Sequence, residues 1–301
     1  MEAPSYNRPL AVASWLFLCF AWGSTFLAIR FTVETIPPLL VGGIRHTLAG
    51  GVLFGVLALR KKAPIDWIKY RNAAIVGALT AGLSNGGVIV AEKTVPSAEV
   101  ALSFSVMPLF LLFLNWVAFE RVKPSFSDFV ALPLGLWGTA LVLGTGHTLE
   151  GNLLNRYEIA LLVACPIFWS FGSLIGRRIP LPQSTLLSSS VQMIGGGLLL
   201  FSLAILNGDL IFFTTGHPTA TSLWGLGYLT IVGSLLGFSA FAYAIKHLDS
   251  RLVSTYAFVK PVVALFLGVS FGERVLTVPI LSGAFLTLLS VATVVTSRFR
   301  K

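Results

Sequence analysis

A lysine stands directly before a proline inside an otherwise apolar stretch, Tyr256-Ala257-Phe258-Val259-Lys260-Pro261-Val262-Val263. An ammonium at hydrocarbon depth costs about 3 kcal/mol even on the most lenient scale, so it requires protein or water around it. The proline removes a backbone donor and biases Val259 and Lys260 away from regular helix, which would free carbonyls beside the charge. Positions i−4 and i+4 hold Tyr256 and Ala264, so the helix itself supplies no carboxylate. Glu92 and Glu99 flank the turn 93–97 and are the acids nearest the membrane interior; both are expected close to the surface. Two functional readings follow: Lys260 binds a ligand carboxylate, or it takes up and releases a proton. The competing reading, snorkelling to an interface, is strained by roughly 13 Å of helix on either side, at about 1.5 Å per residue.

Other side chains can join that chemistry. Arg45 and His46 lie within a second apolar segment, where a guanidinium must face protein and can hold a carboxylate or backbone carbonyls, and where an imidazole can carry a proton. Trp22 and Trp169 occupy matched places in two segments, and with Phe104 and Tyr256 they can wall a ligand cavity; ordinary aromatic packing is the alternative. Asn85 and Gln192 are neutral amides that bind substrate or join helices. Asn85 is flanked by Gly82, Gly86 and Gly87, which thin the helix around it. Pro108 and Pro261 are candidate hinges, against the simpler reading of kinks in packed helices.

Positioning such groups falls to membrane helices. Of 301 residues, 55% are hydrophobic and 11% charged, with a mean hydropathy of +0.85, which excludes an ordinary soluble fold. Apolar runs at 10–31, 38–59, 73–92, 97–119, 126–144, 157–178, 183–206, 223–245, 251–271 and 276–297 predict an all-α polytopic protein with ten spans. The first run is too long for a signal-peptide core and is read as retained. The formal charge of +9 comes from basic residues in short loops, so no nucleic-acid partner is implied. With ten spans, fifteen Lys and Arg fall on the face of the two termini and four (Arg30, Lys93, Arg156 and Arg274) on the other, which predicts both termini in the cytoplasm. Cys19 and Cys165 fall inside spans without metal-ligand spacing and are expected to pack as free thiols.

The chain also repeats itself. An offset of 153 places Glu120 on Glu273, Arg121 on Arg274, Pro108 on Pro261 and Lys93 on Lys246; an offset of 147 places Trp22 on Trp169 and Arg30 on Arg177. Each half holds five spans, and because five is odd the halves are inverted copies, an arrangement of secondary transporters that bind substrate near the midplane. The expected division is a tail 1–9, a first repeat 10–144, a linker 145–156, a second repeat 157–297 and a tail 298–301. Lys260 breaks this symmetry, since its counterpart before Pro108 is Met107.

The segments Phe20-Ala21-Trp22-Gly23-Ser24-Thr25-Phe26-Leu27-Ala28-Ile29-Arg30, Ile36-Pro37-Pro38-Leu39-Leu40 and Gly43-Ile44-Arg45-His46-Thr47-Leu48-Ala49-Gly50-Gly51 closely resemble the first repeat of the EamA branch of the drug/metabolite transporter superfamily. Pro261-Val262-Val263-Ala264 and Gly272-Glu273-Arg274 resemble its second repeat. The resemblance covers 10–297 and implies an inner-membrane carrier of two inverted five-helix repeats that exports small metabolites, amino acids and aromatic ones among them. An arginine at the place of Arg45 occurs in members with different substrates, which favours a structural role. The residue before the second-repeat proline varies, and Lys260 is this chain's own choice.

The expected function is export of small metabolites, foremost amino acids, by alternating access, without cofactor or metal and as a monomer. Gly144-Thr145-Gly146 is no Walker loop, so no nucleotide is implied. A membrane-embedded enzyme would need a motif such as HExxH, which the chain does not have. A channel or a lipid scramblase remains the alternative.

Overall fold

The computed structural model describes residues 8–121, 123–248, 252–253, 255–273 and 277–297. Of the expected tails only Arg8 and Pro9 are among them, and Arg251 and Arg274 lie outside. Eight helical segments are long and apolar enough to cross a bilayer: α1 (Arg8–Thr32), α2 (Pro38–Leu59), α3 (Trp67–Ala91), α4 (Ser97–Ala118), α5 (Phe126–Thr145), α6 (Arg156–Gly176), α7 (Thr185–Leu206) and α8 (Ala220–His247). Two further helices follow, α9 (Tyr256–Ser270) and α10 (Val278–Ser297), whose apolar stretches are shorter, Val259–Ser270 and Val278–Thr293. Extended pairing among the described residues is limited to one bridge between His147 and Leu153.

Local chemistry sets the helix starts. Pro38 opens α2 at the first turn, where its missing N–H has no partner to lose. Ser125 with Asp128 and Asn155 with Glu158 form capping boxes at α5 and α6. Asp66 accepts the backbone N–H of Lys69 and pairs with its Nζ at 2.9 Å. That cap starts α3 at Trp67, six residues before the apolar run begins: Lys69 and Arg71 are helical although they lie outside the apolar stretch.

Two proline sites behave differently. The fourth segment breaks into Ser97–Phe104 and Met107–Ala118, with Pro108 at the start of the second piece. The expected irregularity at Val259 and Lys260 is absent, because α9 runs through Pro261 without interruption. Pro261 is only the sixth residue of that helix; its fixed φ is already helical, and its ring removes a single bond, to the carbonyl of Ala257. Irregularity appears instead where no proline stands, as π-helical turns at Ala78–Ser84 in α3 and Leu229–Leu236 in α8.

The helices pack in reciprocal pairs. α2 lies along α7 and α5 along α10, while α1 packs on α9 and α8, and α6 on α4 and α3. Small residues permit the closest approaches: a methyl on Gly196 would lie 2.7 Å from the carbonyl of Gly77, and one on Gly50 2.7 Å from that of Ser190. Cys19 and Cys165 are free and buried.

Candidate substrate cavity

Lys260 sits one turn after Tyr256 on α9, and its Nζ stands over three rings, 5.1 Å from the centroid of Phe104, 5.4 Å from Tyr256 and 5.9 Å from Trp22. Such cation–π contacts each contribute about 0.5–2 kcal/mol, more when desolvated. No described carboxylate pairs with this ammonium, and the rings are its surroundings in place of a counter-ion.

The aromatic frame is itself held in place. Trp22 donates its indole N–H to the carbonyl of Gly233 at 3.1 Å, and its ring meets Tyr256 at 5.0 Å, Phe238 at 5.5 Å and Phe241 at 5.6 Å. Gly233 lies in the π-helical turn of α8, where the wider ladder presents a carbonyl to a neighbouring helix. Across the cavity Phe104 and Trp169 meet edge to face at 5.9 Å.

A second cation lies behind this frame. Arg45 is 5% exposed; its Nε donates to Ser234 Oγ at 2.9 Å, and its Nη1 has no hydrogen-bond partner. A methyl on Gly233 would stand 3.2 Å from Arg45 Nη2, so the absent side chain makes room for the guanidinium. His46 is 1% exposed with neither ring nitrogen hydrogen-bonded. The field of Glu92 reaches Arg45. Glu92 and Glu99 stand at the end of α3 and in the first turn of α4, and both are enclosed, 0% and 3% exposed. The Leu149 N–H donates to the Thr94 carbonyl at 2.8 Å, in the turn between them.

Trp22, Arg45, His46, Asn85, Phe104, Trp169, Tyr256 and Lys260 therefore line one cavity of about 50 Å³. It continues through Trp22, Asn85, Met107, Trp169, Phe238 and Tyr256 into a vestibule of about 520 Å³ that reaches Arg177 and Gln183, on the face of the chain termini. Gln192 lines the vestibule and not the cavity, and its amide donates to Ser188 Oγ at 2.9 Å. Pro108 and Pro261 line neither. Sequence reasoning missed Phe238 and Ser234. Both belong to the π-helical turn of α8 or the helix after it, where a 3.6-residue period misplaces faces.

The opposite, distal face is closed. Phe26, Ile29 and Val88 line the cavity and pack with Val33, Ile36 and Val95 in one apolar cluster. Beyond it, Ser97 donates its N–H and Oγ–H to Glu273 Oε2 at 3.1 and 2.6 Å, and Phe31 meets Phe271 at 5.8 Å. A distal depression of about 450 Å³ shares no lining residue with the cavity.

Comparison with known proteins places this geometry in context. The profile of the EamA-like transporter family matches residues 10–144 and again 156–296. An uncharacterized inner membrane transporter, YedA of Escherichia coli K12, is 33% identical over 264 residues, covering 86% of this chain and 82% of the relative. The S-adenosylmethionine/S-adenosylhomocysteine transporter of Chlamydia muridarum is 22% identical, covering 87% of this chain and 84% of that one. A solved crystal structure superposes with a TM-score of 0.62 at 20% identity, covering 98% of this chain and 99% of the other.

Proposed function

The chain belongs to the EamA-like transporter family, and from that premise we propose that it is a secondary carrier exporting small metabolites across an inner membrane by alternating access. The substrates are amino acids or the organic acids that share their carboxylate. The observation carrying this reading is a buried, cation-bearing aromatic cavity joined to a vestibule on one face and sealed on the other. Substrate reaches Lys260 through the vestibule, and its acidic group sits between Lys260 and Arg45 with its apolar body against Trp22 and Trp169.

Ten helices in two inverted repeats underlie the cycle. Counting α9 and α10 as spans gives the even number, and the reciprocal packing of α1 on α9 and α6 on α4 supports the pseudo-twofold. So does the occurrence of π-helical turns in the third and eighth helices alone among the described residues. Repeats span 10–144 and 157–297, and rocking is absorbed at the break beside Pro108 and around Pro261. His46 or Lys260 carries the proton where transport is proton-coupled.

Both termini are cytoplasmic, so the vestibule opens inward. A cysteine replacing Lys62 is expected to react with an impermeant maleimide only from the cytoplasmic side; reaction from outside would reverse the orientation. The function itself is tested by counterflow in proteoliposomes without nucleotide, using radiolabelled amino and organic acids. Saturable exchange above empty liposomes is expected. Exchange absent across the panel would contradict the carrier, and unitary currents would favour a channel.

A further inference from the structure

The cavity and its vestibule carry cations and no described carboxylate. Lys260, Arg45 and His46 line the cavity and Arg177 the vestibule, whereas no Asp or Glu lines either. Glu92, whose field reaches Arg45, is buried outside the lining. Two of these groups lack partners while almost fully enclosed: Arg45 Nη1, and both ring nitrogens of His46.

An amino acid presents an ammonium beside its carboxylate, and a site for it must neutralise both. Carboxylates do this best, and aromatic faces next. Here the faces of Phe104, Tyr256 and Trp22 are already occupied by the protein's own ammonium. A substrate ammonium one carbon away from the bound carboxylate would stand beside Lys260 with like charge and no counter-ion. An acid without the amine meets no such penalty and supplies the missing anion.

Size agrees with this division. The space beside Lys260 is the narrow end, about 50 Å³, and takes the head group, while the 520 Å³ vestibule, walled by Trp22, Trp169 and Phe238, takes the body.

Resting on the reading of this cavity as the substrate site, we propose that the substrate class is an organic acid with an apolar, preferably aromatic body and no ammonium. Three probes isolate the charge: 3-phenylpropanoate, L-phenylalanine, which adds only the ammonium, and phenethylamine, which has only the ammonium. Each is titrated against the purified full-length protein by tryptophan fluorescence and by thermal shift, and each competes in counterflow. The acid is expected to bind at least about tenfold more tightly than phenylalanine, with no binding of the amine. Lys260→Met is expected to erase the preference, and Lys260→Arg to keep it.

Equal or tighter binding of phenylalanine or the amine overturns the proposal, even if both are transported and the carrier reading stands. Binding of none of the three, while another metabolite exchanges, also overturns the proposed class and leaves the carrier. The ranking in the wild type decides without the variants, so a Lys260→Met protein that does not fold removes nothing from the test.

Discussion

At the scale of single residues, the two cations of the cavity are held by unequal means, and that difference is testable. Arg45 has one clear partner, Ser234, whose hydroxyl accepts from Nε at 2.9 Å. Ser234 is itself fully buried, so truncation leaves a guanidinium donor unsatisfied, a loss of about 1–3 kcal/mol. Ser234→Ala is expected to lower the apparent Tm by roughly 2–4 °C for each kcal/mol lost. An unchanged Tm would mean that Arg45 finds another acceptor. Most of the cavity was legible at this scale: a lysine and an arginine in apolar runs are conspicuous, and Trp22 and Trp169 stand out by their match. Gln192 lines the vestibule in place of the inner cavity, a placement that an amide's type does not disclose. Ser234 left no signal at all, since a serine in an apolar helix usually bonds its own backbone, as Ser239 does.

Among elements, the joint between α4 and α9 lies at the closed distal face. Glu273 follows α9, and its carboxylate caps the first turn of α4 through Ser97 N–H and Oγ–H. Charge-assisted bonds of this kind contribute about 1.5–3 kcal/mol, and each 1.4 kcal/mol is about tenfold in population. Glu273→Ala is therefore expected to open the distal side at least about tenfold more often. In a Cys19→Ser, Cys165→Ser background, Val33→Cys should then react faster with an impermeant thiol reagent. An unaltered rate would show that the apolar cluster around Val33 closes the face without the carboxylate. Helix existence was readable from runs of apolar residues. The π-helical turns were not, because they reflect tertiary demands, such as seating Trp22 on the Gly233 carbonyl, that no local propensity records. The proline rule worked at Pro108, where the chain breaks, and not at Pro261, which stands early enough in α9 to be absorbed.

The terminal side of α3 responds to pH in a stated direction. The Lys69 ammonium, then its backbone N–H, hold the Asp66 carboxylate below its usual range. A depressed folded pKa means that this cap acts above the unfolded pKa and is lost as pH falls through the folded one. Acidification is expected to raise hydrogen exchange in residues 67–71 before the rest of α3. Uniform exchange along the helix would contradict a local cap.

For the whole molecule, the account is one of asymmetry within a paired frame. Helices pack reciprocally, yet one half offers a lysine before its proline and the other a methionine, Met107, and the cavity opens to one face alone. The proposed carrier divides the work between frame and charge, assigning movement to the helices and selection to Lys260. The most direct test is nucleotide-free counterflow in proteoliposomes, comparing wild type with Lys260→Ala at equal insertion. Removing one member of a buried charge interaction commonly costs about 2–5 kcal/mol, so exchange should fall at least about tenfold in the variant. Exchange at the wild-type rate by a correctly inserted Lys260→Ala protein would contradict it.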